Sequence, residues 1–399
     1  MHKFSTSHAA LAGLSGSLVG IGLGRFAYTP LIPPLIDAGW FPPSQVVYLG
    51  AANLAGYLAG ALLARPMAAH LRASHILRAM MLLASAACFA CAAPLSLPWF
   101  FAWRFAAGLA GGVIMVLAAP TILPHVDPRR RGLVSGLIFT GVGLGIAASG
   151  TLVPLLLRFG LVATWCGLGA VSLGLTMLAW GGWPATEPIA ASHPQLRRSV
   201  ATVAIWGLLA EYGLNAAGLV PHMVFLVDFV ARGLHAGLTV GAGYWVVFGV
   251  GAMAGPLLAG ALADRIGFGV ALRVAFATQA AAVVLPVLTD ATPWLVVSSA
   301  LAGAFTPGIV PLALGRVHEL LPGNPVAQRL VWGRTTMAWA LFQAGAAYFD
   351  SWLFGQTGGD YRLLFALGAG ALTLALTIDL VAGRQSAAAA TPPIRPSSA

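Results

Sequence analysis

An all-α integral membrane protein, with twelve transmembrane helices in two pseudo-symmetric six-helix bundles, is the fold this sequence predicts. Three observations carry the prediction. The first is composition: the 399 residues are 59% hydrophobic and only 8% charged, with a mean hydropathy of +0.86. A soluble domain carries about a quarter charged residues, so an aqueous fold is excluded. The second is where the 21 Lys and Arg residues fall. Every second gap between apolar stretches is basic: Lys3; Arg65, Arg72 and Arg78; Arg129, Arg130 and Arg131; Arg197 and Arg198; Arg265 and Arg273; Arg316, Arg329 and Arg334; Arg384 and Arg395. The intervening gaps hold only Arg158, Arg232 and Arg362. Positive loops stay cytoplasmic, so the alternation marks a chain threaded back and forth through a bilayer. The third is an internal repeat: Gly60-Ala-Leu-Leu-Ala-Arg65 returns as Gly260-Ala-Leu-Ala-Asp-Arg265, each copy ending the second span of its half.

A span needs about 20 apolar residues. Twelve are read, at 9–33, 44–64, 75–93, 98–124, 132–156, 161–180, 200–229, 238–262, 269–289, 293–315, 330–353 and 361–382. They divide the chain into an N-terminal bundle (1–182), a central cytoplasmic loop (183–199), a C-terminal bundle (200–383) and a disordered tail (384–399). Both termini are then cytoplasmic. The first segment resembles a signal peptide but has no convincing cleavage site, so a retained first span is expected. Trp40, Trp99, Trp180, Trp183, Trp294 and Trp352 cluster near span ends, where amphipathic rings prefer the interface. Small-x-x-x-small pairs such as Gly56/Gly60, Gly108/Gly112 and Gly251/Gly255 let membrane helices approach closely. Pro307 and Pro311 predict a hinge or kink in the tenth span.

The pI near 10.4 would suggest nucleic acid in a soluble protein. Here the charge is dispersed over short loops, which excludes a phosphate-tracking surface. Cys88 and Cys91 form a C-x-x-C with no second pair or nearby His, so no metal or other cofactor is expected. The absence of a P-loop leaves an ion or solute gradient as the energy source. Two six-span halves around a midplane site form a transporter architecture.

At Gly260-Ala-Leu-Ala-Asp264-Arg265-Ile-Gly267 the chain resembles the major facilitator superfamily, whose signature after the second span of each half reads Gly-x-Leu-Ala-Asp-Arg-x-Gly-Arg-Arg. Phe268 departs from that pattern, and the N-terminal copy has Ala64 in place of the acid. The resemblance implies a cytoplasmic gate of Gly260, Asp264, Arg265 and Gly267. Trp103-Arg104-Phe105-Ala-Ala-Gly108 resembles the fourth-span motif and implies that Arg104 bonds backbone of the first helix and couples protonation to conformation. The stretch from Gly22 to Pro33, with Asn53-Leu-Ala-Gly56-Tyr57-Leu-Ala-Gly60, resembles the YbfB/YjiJ-like branch.

A charge at mid-bilayer costs about 2.5–3.5 kcal/mol and normally faces a cavity or a partner. Arg25 lies deep in the first span with Tyr28 one turn on. Its planar fork suits a carboxylate or phosphate, although packing against the backbone of a Pro-broken helix is the competing reading. Glu211, Asn215, Gly218 and His222 form one stripe of the seventh span. Glu211 is the candidate proton carrier, unless it pairs permanently with an Arg, and His222 is a titratable helper. Asn53, Tyr57, Gln279 and Gln343 are polar groups for either a ligand or a neighbouring helix. Asp37, Asp290, Asp350 and Asp360 are placed in outer loops.

The expected substrate-binding set is Arg25, Tyr28, Asn53, Tyr57, Asn215, His222 and Gln343, with Glu211 and Arg104 for proton coupling. The expected function is secondary active transport of a small organic solute, preferably an organic anion by proton symport, by a monomer in a bacterial inner membrane. Proton-driven efflux of a hydrophobic or drug-like compound is the alternative. A membrane-embedded enzyme is disfavoured, because no acid–His or metal-ligand cluster sits beside an interface.

Overall fold

In a computed structural model the chain is described for residues 6–127, 130–184 and 203–390. Lys3, Arg129, Arg197, Arg198 and Arg395 lie outside the described residues, with the 185–199 part of the central loop and the tail beyond 390. Twelve long helical units follow one another, with no strand among the described residues. They are α1 (Thr6–Asp37), α2 (Pro43–His70), α3 (Ala73–Ala90), α4 (Leu97–Ile122), α5 (Arg131–Leu157), α6 (Leu161–Ala179), α7 (Val203–Gly233), α8 (Leu238–Ile266), α9 (Phe268–Leu288), α10 (Thr292–Leu320), α11 (Pro325–Gln356) and α12 (Tyr361–Ala390). Eleven are long and apolar enough to cross a bilayer. The twelfth is α11, diluted by Arg334, Thr335, Thr336, Gln343 and Asp350. Because α12 continues to Ala390, residues 384–390, expected to open a disordered tail, are helical.

Large apolar side chains crowd the outer surface: Leu257 is 69% exposed, Leu258 65% and Trp206 61%. Only hydrocarbon makes such a surface favourable, so these residues face lipid. Trp294 and Trp352 are also exposed, but Trp183 is buried against Gly16 of α1, not at the interface expected for it.

Glycine sets the helix spacing inside each lobe. A Cβ added at Gly56 would stand 2.0 Å from the Phe105 carbonyl oxygen, and one at Gly108 would stand 1.8 Å from that of Asn53, so α2 and α4 touch backbone to backbone. In the second lobe a Cβ at Gly251 would meet Ala300 O at 2.2 Å, one at Gly255 would meet Ala304 O at 1.8 Å, and one at Gly303 would meet Phe248 O at 2.0 Å, which joins α8 to α10 in the same way. The matched glycines Gly56/Gly251, Gly60/Gly255 and Gly108/Gly303 are 195 positions apart (251 − 56, 255 − 60, 303 − 108). The starts of α3 and α9 keep that offset (268 − 73 = 195). The Gly60/Gly260 match of the sequence motif is therefore five positions out of packing register (260 − 255 = 5): Gly60 packs on α4, while Gly260 has open space beside it.

The first helix of each lobe is broken. In α1 a π turn (Leu18–Leu23) gives way to a 3-10 stretch (Phe26–Leu31) holding Pro30, then to Ile32–Asp37. In α7 π turns occupy Pro221–Phe225 and Phe229–Gly233. Proline removes a backbone donor at Pro30 and Pro221, and π turns, rare in helices overall, are frequent at functional sites. Pro307 and Pro311, by contrast, sit inside an unbroken α10.

An even number of crossings brings Thr6 and Ala390 to one end of the bundle, called here the termini end. Towards the opposite, far end, α1 and α7 close the seam between the lobes. Thr29 Oγ1 donates to the Met223 carbonyl at 2.6 Å, and Arg232 Nε stands 3.8 Å from Asp37. Elsewhere the seam is α5 on α8, where Trp245 Nε1 donates to Ser149 at 3.1 Å, and α2 on α11, where Tyr57 meets Trp339 and Tyr48 meets Tyr348.

Candidate functional site

The break in α1 determines what its neighbours must do. Where the π turn ends, the Gly24 carbonyl accepts from Asn53 Nδ2 of α2 (3.3 Å) and Arg104 Nη1 of α4 (3.0 Å). Asn53 Nδ2 also donates to Arg104 O at 3.0 Å. The Arg104 guanidinium lies over the Tyr28 ring, 4.2 Å from its centroid, and the Tyr28 hydroxyl donates to Val46 O at 2.7 Å. Arg104, Asn53 and Tyr28 thus hold a broken helix in place. They also line, with Arg25, Met223 and Val224, a cavity of about 20 Å³ at the seam. That volume accommodates water but no organic solute.

Arg25 is the next residue along, buried, and differently placed. Its guanidinium carbon lies 4.7 Å from the Phe26 ring centroid, 5.4 Å from Tyr57 and 6.0 Å from Trp339. Its Nη2 donates to the Met223 sulfur at 3.3 Å. From α11, Gln343 Nε2 donates to the same sulfur, also at 3.3 Å. No carboxylate lies within ion-pair distance of Arg25 among the described residues. The Trp339 indole N–H beside it is buried without an acceptor among the described residues. Donors surround Arg25, and the acceptor that its guanidinium shares with Gln343 is a thioether, which accepts weakly; the Asn53 amide oxygen in the cavity lining is a buried acceptor with no partner among the described residues. A carboxylate in place of that sulfur would receive charge-assisted hydrogen bonds.

The stripe on α7 turns elsewhere. Asn215 Nδ2 donates to Gln279 Oε1 of α9 at 2.7 Å, and His222 Nε2 lies 2.7 Å from Ser298 Oγ of α10 with its ring edge-on to Phe365 of α12. Both are fully buried inside the second lobe and neither lines the Arg25 cavity, against the expectation that they bind substrate. The reason is geometric. Two faces of α7 are buried, one on its own lobe and one on the seam; Met223 occupies the seam face, against Arg25 and Thr29 of α1, while Tyr212 packs on Trp339 of α11. Glu211 lies with the inward stripe, 3% exposed, and has no hydrogen bond or ion pair among the described residues, so the permanent Arg partner is not there. The charges acting on it across the lobe are Asp379, Arg316 and Arg273.

At the termini end, Asp264 and Arg265 are exposed and engage no side chain among the described residues. Gly267 takes φ +80 at the junction of α8 and α9. The junction is tied to its own lobe instead: Glu319 of α10 accepts from Phe268 N at 2.9 Å and pairs with Arg316 at 2.9 Å. The implied gate is not engaged in this conformation.

Sequence reasoning missed Met223 and Trp339, which read as apolar packing within apolar spans. It also misplaced Asp350, which is no outer-loop residue: it sits inside α11, 5% exposed and without a partner among the described residues. A signal existed, since Trp332, Trp339, Gln343 and Asp350 recur at helical spacing on one face of α11.

A multi-pass helical membrane protein of two pseudo-equivalent lobes, with unsatisfied donors on the seam, defines the class of membrane transporters. The chain belongs to the major facilitator family described as uncharacterised MFS-type transporter YbfB, which matches residues 17–380. It is a transporter, not an enzyme. Among solved structures, one similar fold is a bacterial homolog of the human lysosomal transporter Spinster, inward-facing and occupied. It has a TM-score of 0.71 at 16% identity over 97% of this chain and 98% of that one. Another is a mutant of the nucleoside transporter NupG, with a TM-score of 0.72 at 14% identity over 94% of this chain and 99% of that one. A comparison with curated protein sequences finds no significant match.

Proposed function

We propose that this protein is a proton-coupled symporter of a small organic anion in a bacterial inner membrane, with its termini cytoplasmic and its far end facing outward. The observation that supports it most is the convergence of Arg25 from one lobe and Gln343 from the other on a single weak acceptor, Met223. An anion that replaces the sulfur contacts α1, α7 and α11 at once. It binds more strongly to the conformation that brings those helices together, and a ligand shifts an equilibrium only through such differential affinity. With the far end closed and the Asp264–Arg265 gate unengaged, the structure suits release towards the cytoplasm.

Glu211 supplies the proton site in this reading. A carboxyl with no cationic partner in an apolar interior is neutral at lower cost than charged. Glu211 and Met223 lie twelve residues apart on one helix (223 − 211), roughly 18 Å along its axis. Coupling therefore runs through movement of α7, not through contact between proton and anion.

Uptake of labelled organic acids into proteoliposomes under an inward proton gradient tests the reading. Arg25→Ala is expected to abolish saturable uptake, and Arg25→Lys to keep part of it, because the charge remains but the fork is lost. Full uptake by both variants would remove Arg25 from the site. Retained export of a lipophilic dye by Arg25→Ala would favour the efflux alternative, since the aromatic surround needs no anion.

A further inference from the structure

We infer that the transported anion is an aromatic monocarboxylate. This deepens the proposed function and rests on its placement of the anion at Arg25. A row of rings that starts beside Arg25, outside the lining of the small cavity itself, is the first ground. Running from Arg25 along the seam, the rings of Tyr57, Trp339, Tyr212 and Trp332 follow one another with centroids 6.5, 6.2 and 6.2 Å apart. They come from α2, α11 and α7, so the row joins both lobes. In a chain only 10% aromatic, the groups placed against the guanidinium are Phe26, Tyr57 and Trp339. An aliphatic acid would be served by the Leu and Val that fill the bundle elsewhere; faces and edges of rings add a preference for another ring.

The second ground is the polar count. Among the described residues the site holds two guanidinium groups: Arg104 donates to the Gly24 carbonyl and lies over the Tyr28 ring, with its Nε unpartnered, whereas Arg25 donates only to the Met223 sulfur and is the one with the weakest partner. One guanidinium matches one carboxylate. Gln343 Nε2 supplies a further donor, and the Trp339 indole N–H, buried with no partner among the described residues, is a third. A buried donor left unpaired is costly, and a carboxylate oxygen or a ring hydroxyl of the ligand would satisfy it.

Binding to the purified full-length protein in detergent, by calorimetry and thermal shift, tests this with benzoate, 4-hydroxybenzoate, cyclohexanecarboxylate, succinate and benzamide. Cyclohexanecarboxylate keeps the size and charge of benzoate without its π face. Expected is a preference of roughly tenfold for benzoate over cyclohexanecarboxylate, with no stabilisation by succinate or benzamide. Trp339→Leu should bind both monocarboxylates equally, and Trp339→Phe should restore part of the preference while showing that the site is still folded. Equal affinity of the wild type for benzoate and cyclohexanecarboxylate would overturn the aromatic assignment and leave the anion reading standing. Stabilisation by benzamide as strong as by benzoate, or by none of the acids, would overturn both.

Discussion

The two lobes share a packing plan and differ in the charges they bury. Among the described residues the N-terminal lobe buries Arg25 and Arg104 and no acid. The C-terminal lobe buries Glu211, Asp228, Asp350 and Asp379 and no Arg or Lys. At the offset of 195 fixed by the glycine contacts, Arg25 corresponds to Val220 and Arg104 to Ser299 (220 − 25, 299 − 104). In the other direction Glu211 corresponds to Gly16 and Asp350 to Leu155 (211 − 16, 350 − 155). Backbone spacing is thus common to the lobes, whereas buried charge is particular to each. In the proposed mechanism the first lobe attracts the anion and the second takes the proton. Met223 and Gln343 let the second lobe reach the Arg25 site.

This division can be broken most decisively at the acids. Glu211→Gln is expected to exchange labelled solute across the membrane at equilibrium but not to concentrate it under a proton gradient, whereas Asp350→Asn should still concentrate it. The opposite pattern in paired exchange and accumulation assays would move the proton site to α11. A smaller effect tests the shared packing. Gly108→Ala and Gly303→Ala each push a methyl into a backbone carbonyl of the neighbouring helix. Each should therefore destabilise by about 1–3 kcal/mol in detergent denaturation, and by similar amounts. Tolerance of one but not the other would show that the lobes are packed differently after all. The smallest effect is expected at the far end. Asp37 is 68% exposed at its side chain and 3.8 Å from Arg232, so Asp37→Ala should cost no more than about 1 kcal/mol. Asp228 accepts from Tyr361 at 2.6 Å and is also bonded by Arg232, and it is fully buried; Asp228→Ala should destabilise more. An equal melting shift in the two variants would contradict that ranking.

Much of the fold was legible because bilayers impose crude rules. Spacing of Arg residues gives the crossings, and glycine pairs give the close contacts. Register of the repeat was not, because a six-residue loop motif outweighed the helix packing that shows only in three dimensions. At the site, Arg25 and Gln343 stood out as polar groups in apolar spans. Met223 and Trp339 did not, since a thioether and an indole are ordinary occupants of a hydrophobic interior. Asn215 and His222 misled for a related reason. On an inner-ring helix, a polar stripe can look into its own lobe as easily as towards the partner lobe, and periodicity alone does not distinguish them.

The Asp37–Arg232 contact has one more implication. These residues end the first helix of each lobe at the same repeat offset (232 − 37 = 195), so each meets its own counterpart across the pseudo-two-fold axis. In a strictly symmetric homodimer a residue at that place faces an identical copy of itself, and aspartate would confront aspartate or arginine arginine. Joining both lobes in one polypeptide lifts that restriction. An ion pair between counterpart residues at the axis is therefore open to a fused, asymmetric molecule and closed to any pair of identical subunits built on the same plan.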